Sequence, residues 1–142
     1  MTARVLIATS RYYEDISLEL ESGAGEVLAA ADVTVETIEV PGAFEVPGVI
    51  AMAADSARYD GYIALGCVIR GETSHYDYVC GESARGLMTL AVERRLAIGY
   101  GILTVENKDQ AWVRADRKQK NKGKDAADAC LAMLELRKKF VR

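Results

Sequence analysis

The chain has 142 residues, of which 50% are apolar and 27% charged, a composition typical of a folded domain with a buried core. Its 18 Lys and Arg residues against 21 Asp and Glu residues give a net charge of -3, which disfavours a nucleic acid as main partner. The apolar runs stay well short of the roughly 18 residues that cross a bilayer, so no membrane partner is expected.

The first ten residues carry one Arg, a short apolar segment and no small-residue cleavage site, so we expect a cytoplasmic protein. Cys67, Cys80 and Cys130 are odd in number and widely spaced, which fits neither a disulfide framework nor the close pairs of a zinc site. They are predicted to be buried free thiols.

Four segments rich in branched apolar residues predict strands at residues 4–9, 33–40, 61–69 and 98–105. Three of them are nearly continuous apolar runs, which is typical of parallel strands covered on both faces. Helical periods follow each strand: residues 16–28, 44–57 with Pro47 in the first turn, 80–91, and 127–134. Gly23 and Gly25 weaken the middle of the first predicted helix.

This order, strand then helix four times, predicts one domain over residues 1–142. The predicted fold is an α/β three-layer α/β/α sandwich with a four-stranded parallel sheet, flavodoxin-like. In such sheets ligands bind beyond the carboxyl ends of the strands, so the informative residues should follow Thr9, Val40, Ile69 and Val105.

The first two strand ends carry turns of different character. Residues 10–14 read SRYYE, with Tyr12 and Tyr13 and without the glycines that a flavodoxin phosphate loop needs, which disfavours an electron carrier. Either the two rings face a ligand or they only cover the sheet edge. Residues 41–47 hold the two prolines of the chain around Gly42, forming a rigid turn that either offers backbone groups to a ligand or only joins strand to helix.

The third strand end is the most polar. Gly71 and Thr73 suit an anion-binding turn at a helix N-terminus, where N–H groups and the helix dipole favour phosphate. His75, the one histidine, can both give and take a proton near neutral pH. It is either structural or catalytic.

After the fourth strand, residues 114–124 carry six basic residues and one acidic residue. A solvated basic loop is one interpretation. The other is that Arg114 binds phosphate, if the loop folds back or reaches a neighbouring subunit.

Four ordered blocks, PGAFEVP (41–47), GCVIRGETSHYDYV (66–79), YGILT (100–104) and NKG (121–123), resemble the 6,7-dimethyl-8-ribityllumazine synthase family over essentially the whole chain. The resemblance implies condensation of two small-molecule substrates, 5-amino-6-(D-ribitylamino)uracil and 3,4-dihydroxy-2-butanone 4-phosphate, in riboflavin biosynthesis. It implies no metal and no organic cofactor.

The resemblance also implies roles for individual residues. His75 matches the proton carrier, Arg114 the phosphate-binding arginine, and Glu72 and Thr73 the phosphate turn. The residues matched to the pyrimidine and the ribityl chain are Tyr12, Ala43, Phe44, Glu45, Cys67, Val68, Ile69 and Tyr100. Lys122 is one further candidate.

Two departures from the family pattern carry expectations. Tyr13 replaces the common Asn, which changes one contact to the ring or the ribityl chain. Glu72 brings a carboxylate beside the phosphate turn, so we expect its side chain to point away from the anion.

The resemblance implies a homo-oligomer, at least a pentamer, with active sites between subunits. Residues 114–121 lack the glycines of shell-forming relatives, which favours a free pentamer over a larger shell. Two other function classes stay open: a lumazine- or flavin-binding module with little turnover, and a flavodoxin-like electron carrier.

Overall fold

Four parallel strands form the centre of the molecule in the computed structural model, which describes residues 2–141. They are β1 (Arg4–Ser10), β2 (Thr34–Val40), β3 (Gly61–Ile69) and β4 (Ala97–Val105). Their order in the sheet is β2-β1-β3-β4, and each neighbouring pair runs parallel. The four predicted strands are confirmed, each to within one residue at either end.

Five helices cover the two faces of this sheet and confirm the three-layer sandwich. They are α1 (Glu14–Ala30), α2 (Val46–Asp55), α3 (His75–Glu93), α4 (Lys108–Ala115) and α5 (Lys122–Phe140). Helices α1, α4 and α5 pack on one face, and α2 and α3 pack on the other. From residue 2 to residue 141, no helix combines the length and the hydropathy that a membrane crossing needs.

The direction of the chain across the sheet decides which face each helix covers. The connection from β1 to β2 runs towards one edge and carries α1, whereas the connections to β3 and β4 run the opposite way and carry α2 and α3. Because such crossovers keep a right-handed sense, reversing direction places the helices on the opposite face. The loops after β1 and β3 therefore part to opposite sides of the sheet.

Both central strands bury side chains on both faces. In β3, Ile63 and Leu65 point into the core under α1 and α5, whereas Tyr62 and Ala64 point into the core under α2 and α3. All four side chains are almost fully buried. A strand covered by helices on both faces of the sheet has no solvent-exposed face. Its sequence is therefore apolar throughout rather than alternating.

Glycines allow α5 to lie directly against its neighbours. A Cβ at Gly123 would overlap the backbone carbonyl of Leu20 on α1, and one at Gly99 would overlap the carbonyl of Ala126 on α5. Gly23 also lies at this crossing and makes room for the side chain of Asn121. The two glycines do not interrupt the helix: α1 runs unbroken from Glu14 to Ala30, and Gly23 serves the packing.

Helix α4 was not predicted, since the basic segment from Arg114 onwards suggested a loop. Arg114 instead lies in the last turn of this helix. Asn107 caps the helix, its side chain accepting from the Gln110 N–H at 2.9 Å, and the small Ala111 and Ala115 are fully buried. With alanines as its buried face, the helix carried little of the apolar periodicity that identified the others.

The second predicted helix has different bounds. A 3-10 turn occupies Ala43–Glu45, and α2 follows it with Pro47 in its first turn, as predicted. The helix ends at Asp55 rather than at residue 57, because Ala57 adopts a left-handed conformation with φ of 57°.

The three cysteines carry free thiols. Cys67 and Cys130 are buried as predicted, whereas Cys80 is only half-buried. Burial raises the pKa of Cys67 to about 12 and that of Cys130 to about 11. Both groups are therefore neutral thiols at physiological pH and weak nucleophiles.

Candidate active site

A cavity opens where the loops after β1 and β3 diverge, at the carboxyl end of the sheet. Crevices of this origin are the usual ligand sites of open parallel sheets. The cavity measures about 300 Å³, at the lower end of the size of small-molecule sites. We call it the strand-end cavity; its lining residues are Tyr12, Tyr13, Gly42, Ala43, Cys67, Val68, Ile69, Gly71, Thr73, His75, Tyr76 and Val79.

A second, more open hollow of about 450 Å³ adjoins the strand-end cavity. Its lining includes Phe44, Glu45 and Tyr78, and it shares Tyr12 and His75 with the cavity. We call it the outer hollow. A larger hollow of about 510 Å³ lies at the opposite end of the strands, between residues 2–3, 31–33 and 131–138, away from the strand ends where polar groups converge.

His75 is the first residue of α3 and borders both the strand-end cavity and the outer hollow. Its side chain is exposed, and its backbone N–H donates to the Thr73 hydroxyl at 3.3 Å. The N-terminus of a helix favours negative charge through its dipole and its N–H groups. A group that can carry protons therefore lies directly at an anion-compatible helix end.

The turn before α3 is anchored by Arg70. Its Nε lies 2.8 Å from the Glu106 carboxylate and its Nη1 lies 3.4 Å from Asp77. Its guanidinium also stacks 4.3 Å from the centre of the Tyr76 ring. The hydrogen bond to Glu106 raises the pKa of Arg70. Its charge is thus already matched by two carboxylates.

The turn after β1 contributes the aromatic wall of the cavity. Tyr12 and Tyr13 meet edge to face, with ring centres 5.0 Å apart and planes at 79°. Tyr13 is half-buried against the core under α1, and this burial raises the pKa of its phenol. Tyr12 is 74% exposed, which leaves its ring open to a flat ligand.

Most of the predicted site residues lie together. Those at the strand-end cavity are Tyr12, Ala43, Cys67, Val68, Ile69, Thr73 and His75. Phe44 and Glu45 line the outer hollow. The rigid 3-10 turn after β2 and the last residues of β3 thus form two facing walls of backbone.

Three predicted site residues do not line either hollow within one chain: Glu72, Tyr100 and Arg114. Glu72 is exposed on the turn before α3. Tyr100 lies on β4, at the edge of the sheet opposite β2. Arg114 lies on α4, where its Nη1 donates to the Gln110 carbonyl at 3.1 Å. Lys122 likewise lies elsewhere and pairs with Asp125 at 3.1 Å.

Tyr76 and Val79 line the cavity but were not among the predicted site residues. A helix that begins at His75 brings Val79 to the same face one turn later, because its side chains repeat every 3.6 residues. The helix start was the missing signal, since the apolar period identified α3 only from Cys80 onwards. Among residues 2–141, no three His, Cys, Asp or Glu side chains cluster as a metal site would.

Known proteins of one family are similar to this chain over nearly its whole length. The model of the family described as 6,7-dimethyl-8-ribityllumazine synthase matches residues 2–138. A protein of that name from Bartonella tribocorum is 55% identical over 137 residues, covering 96% of this chain and 91% of its own length. One from Novosphingobium aromaticivorans is 54% identical over 138 residues, covering 97% and 99%. The "6,7-dimethyl-8-ribityllumazine synthase 1" of Rhizobium meliloti is 51% identical over 141 residues, covering 96% and 92%.

Proposed function

This chain belongs to the 6,7-dimethyl-8-ribityllumazine synthase family and forms the lumazine of riboflavin biosynthesis, and we propose that it does so at the strand-end cavity. The observation that carries this assignment of the site is the position of His75. It borders the cavity, the outer hollow and the helix end that suits an anion, all at once.

The condensation makes three demands on a protein. The amine of 5-amino-6-(D-ribitylamino)uracil attacks the ketone of 3,4-dihydroxy-2-butanone 4-phosphate, and an imine forms with loss of one water. Phosphate then leaves by elimination, and the second ring closes with loss of a second water. The site must therefore hold a flat pyrimidine, bind a phosphate dianion and move protons between carbon, nitrogen and oxygen. The strand-end cavity offers a group for each demand.

His75 is the proton carrier of this proposal. Imidazole can accept a proton from one atom and return it to another near neutral pH, which an imine-forming and eliminating sequence requires repeatedly. The ring of Tyr12 and the backbone of residues 43–45 and 67–69 hold the pyrimidine and its ribityl chain. The Thr73 hydroxyl and the first turn of α3 bind the phosphate.

The phosphate needs a further cation, and Arg114 is the proposed source. Near the turn, the Arg70 charge is engaged by Glu106 and Asp77, so it is poorly available to a dianion. Arg114 lies outside the cavity of its own chain, and its guanidinium donates to the uncharged backbone carbonyl of Gln110. We assign it to the cavity of a neighbouring subunit, where its guanidinium can donate two parallel hydrogen bonds to phosphate oxygens.

Replacing Arg114 by alanine is expected to raise the KM for the butanone phosphate by about tenfold to a hundredfold, the worth of a lost charge-assisted hydrogen bond. The KM for the pyrimidine should change little, because the arginine does not face that ring. Steady-state kinetics with each substrate varied in turn measures both constants. Arg117→Ala is the matched control, since Arg117 is engaged by Glu19 and Glu26 at 3.1 and 2.7 Å. Equal rises in both constants would contradict the assigned role.

The proposed assembly is a ring of five chains with sites between neighbours. Phe44 follows β2 at one edge of the sheet, whereas Tyr100 lies on β4 at the other edge. Two halves of one site on opposite edges can meet only head to tail, and such contacts form a ring where the rotation between neighbours closes. Val35 and Ile38 on β2 are about 40% exposed, as expected of an edge that another chain covers.

Light scattering in solution tests this assembly. We expect a mass of five chains of 15.5 kDa each, without larger shells, because residues 114–121 lack glycine. A monomer of full activity would overturn the shared site, and a much larger particle would overturn the free pentamer.

One assay separates an enzyme from a binding module. The purified protein is incubated with both substrates, and formation of the fluorescent lumazine is compared with the spontaneous condensation. A rate well above the background supports the proposal. Binding of the pyrimidine without such a rate identifies a lumazine- or flavin-binding module instead.

We also place the enzyme in the cytoplasm. Its three free thiols suit a reducing compartment, where disulfides are rare. Cell fractionation followed by detection of the protein tests this location, and recovery outside the cytoplasmic fraction would contradict it.

A further inference from the structure

We propose that the ion pair between Arg11 and Glu21 is a positioning device for the pyrimidine: it fastens the turn that carries Tyr12 onto α1. The inference rests on the proposed function, because it assigns these two residues a role towards one of the two substrates. Neither residue lines the strand-end cavity, so both act through the turn rather than by contact with substrate.

Arg11 and Glu21 form a bidentate ion pair. Arg11 Nε lies 2.9 Å from Glu21 Oε2, and Arg11 Nη2 lies 2.7 Å from Glu21 Oε1. The buried Thr9 hydroxyl also donates to Glu21 Oε2 at 3.1 Å. Two parallel bonds fix both the distance and the orientation of the guanidinium, which a single contact would not.

The burial of the pair argues for a role other than stability. The Glu21 side chain is 14% exposed and that of Arg11 is 31% exposed. Ion pairs withdrawn from water gain little over apolar packing, because desolvation offsets the attraction between the charges. A second carboxylate, Glu39 on β2, lies 3.7 Å from Nη1 of Arg11. Arg11 is thus paired with carboxylates from one helix and one strand.

Ser17 lies on α1 four residues before Glu21 and also holds the loop that follows β1. Its hydroxyl donates to the carbonyl of Ser10, and its N–H donates to the carbonyl of Tyr13 at 3.0 Å. Ser17 and Glu21 are four residues apart and so lie on the same face of α1. Residues 10, 11 and 13 are thereby each tied to the helix, on both sides of Tyr12.

Tyr12 depends on these ties for its position. Its side chain is 74% exposed, and its ring rests edge-on against Tyr13, so the backbone on either side sets where the ring points. A stacking ring that drifts by about 1 Å loses much of its contribution to a near-attack geometry. The phosphate turn with Thr73 belongs to the β3–α3 connection and does not share these ties. Loss of the pair should therefore weaken binding of the pyrimidine and leave binding of the phosphate substrate unchanged.

Glu21→Gln tests this separation with nearly unchanged side-chain volume. We expect the KM for the pyrimidine to rise about tenfold, while the KM for the butanone phosphate changes less than about twofold. Arg11→Lys keeps the charge but loses the fork, so it should give an intermediate rise, and it serves if the first variant fails to fold. Asp55→Asn is the matched control, because it removes an exposed pair with Arg94 of 2.8 Å at the other end of the sheet.

Hydrogen exchange provides a readout that does not depend on activity. In Glu21→Gln without substrate, amides of residues 10–16 should exchange faster than in the unaltered protein, whereas those of residues 70–76 should not change. Equal exchange in both proteins, or rises of both KM values together, would overturn the positioning role. Absence of lumazine formation by the unaltered protein would instead overturn the proposed function, and the exchange result would still decide whether the pair fastens the turn.

Discussion

Replacing His75 by alanine is expected to lower kcat about a hundredfold or more, towards the spontaneous rate of condensation. The variant removes the proposed proton carrier, and a positioned acid or base contributes this much in general. The KM for the butanone phosphate should change less than about threefold, since Thr73 and the first turn of α3 remain. Steady-state and single-turnover measurements of lumazine fluorescence give both constants. The effect is the converse of that expected for Arg114→Ala.

The two variants together test whether one site draws on two chains. If His75→Ala and Arg114→Ala chains are unfolded, mixed in equal amounts and refolded, some cavities receive an intact His75 from one chain and an intact Arg114 from its neighbour. In a randomly mixed head-to-tail ring this holds for about a quarter of the sites, so about a quarter of the activity should return. Each variant refolded alone is the control. No recovery in mixed rings of unchanged mass would contradict the shared site.

Replacing Gly123 by alanine is expected to lower the free energy of unfolding by about 3 kcal/mol and the melting temperature by about 10 °C. The new methyl group would overlap the backbone carbonyl of Leu20, and since the backbone fixes the position of a Cβ, neither group can rotate away. Helices α1 and α5 would have to separate, which also disturbs the buried contacts between them. Thermal and urea unfolding followed by circular dichroism measure the change, at one chain concentration because assembly adds to apparent stability.

Gly25→Ala is the control for the effect of a methyl group itself. This glycine also lies within α1, but a Cβ there would meet nothing within 4 Å. Alanine at a helical position of this kind stabilises by about 0.5–1 kcal/mol, because glycine loses more backbone entropy on folding. A change in the free energy of unfolding of the same sign and size in both variants would show that the close contact at Gly123 does not contribute to stability.

The central strands were predictable because burial on both faces leaves a direct trace in composition. Residues 61–69 contain no charged side chain, and β3 has those same bounds. The helix α4 left no such trace, since its buried face is formed by the small Ala111 and Ala115. Gly23 looked like a weak point in α1 because the sequence does not reveal that Asn121 packs against it.

The candidate site residues could be identified from the sequence, because His75, Thr73 and Tyr12 each follow a strand whose end could be located. Which of these side chains meet was decided by the tertiary structure. The reversal of chain direction between β2 and β3 brings the ends of β1 and β3 together, and it sends Tyr100 to the far edge of the sheet. Local periodicity specifies elements and the residues at their ends, whereas distances between those ends depend on the order of strands and on close contacts between helices. Those contacts are set by packing among residues far apart in the chain, and so only the folded molecule displays them.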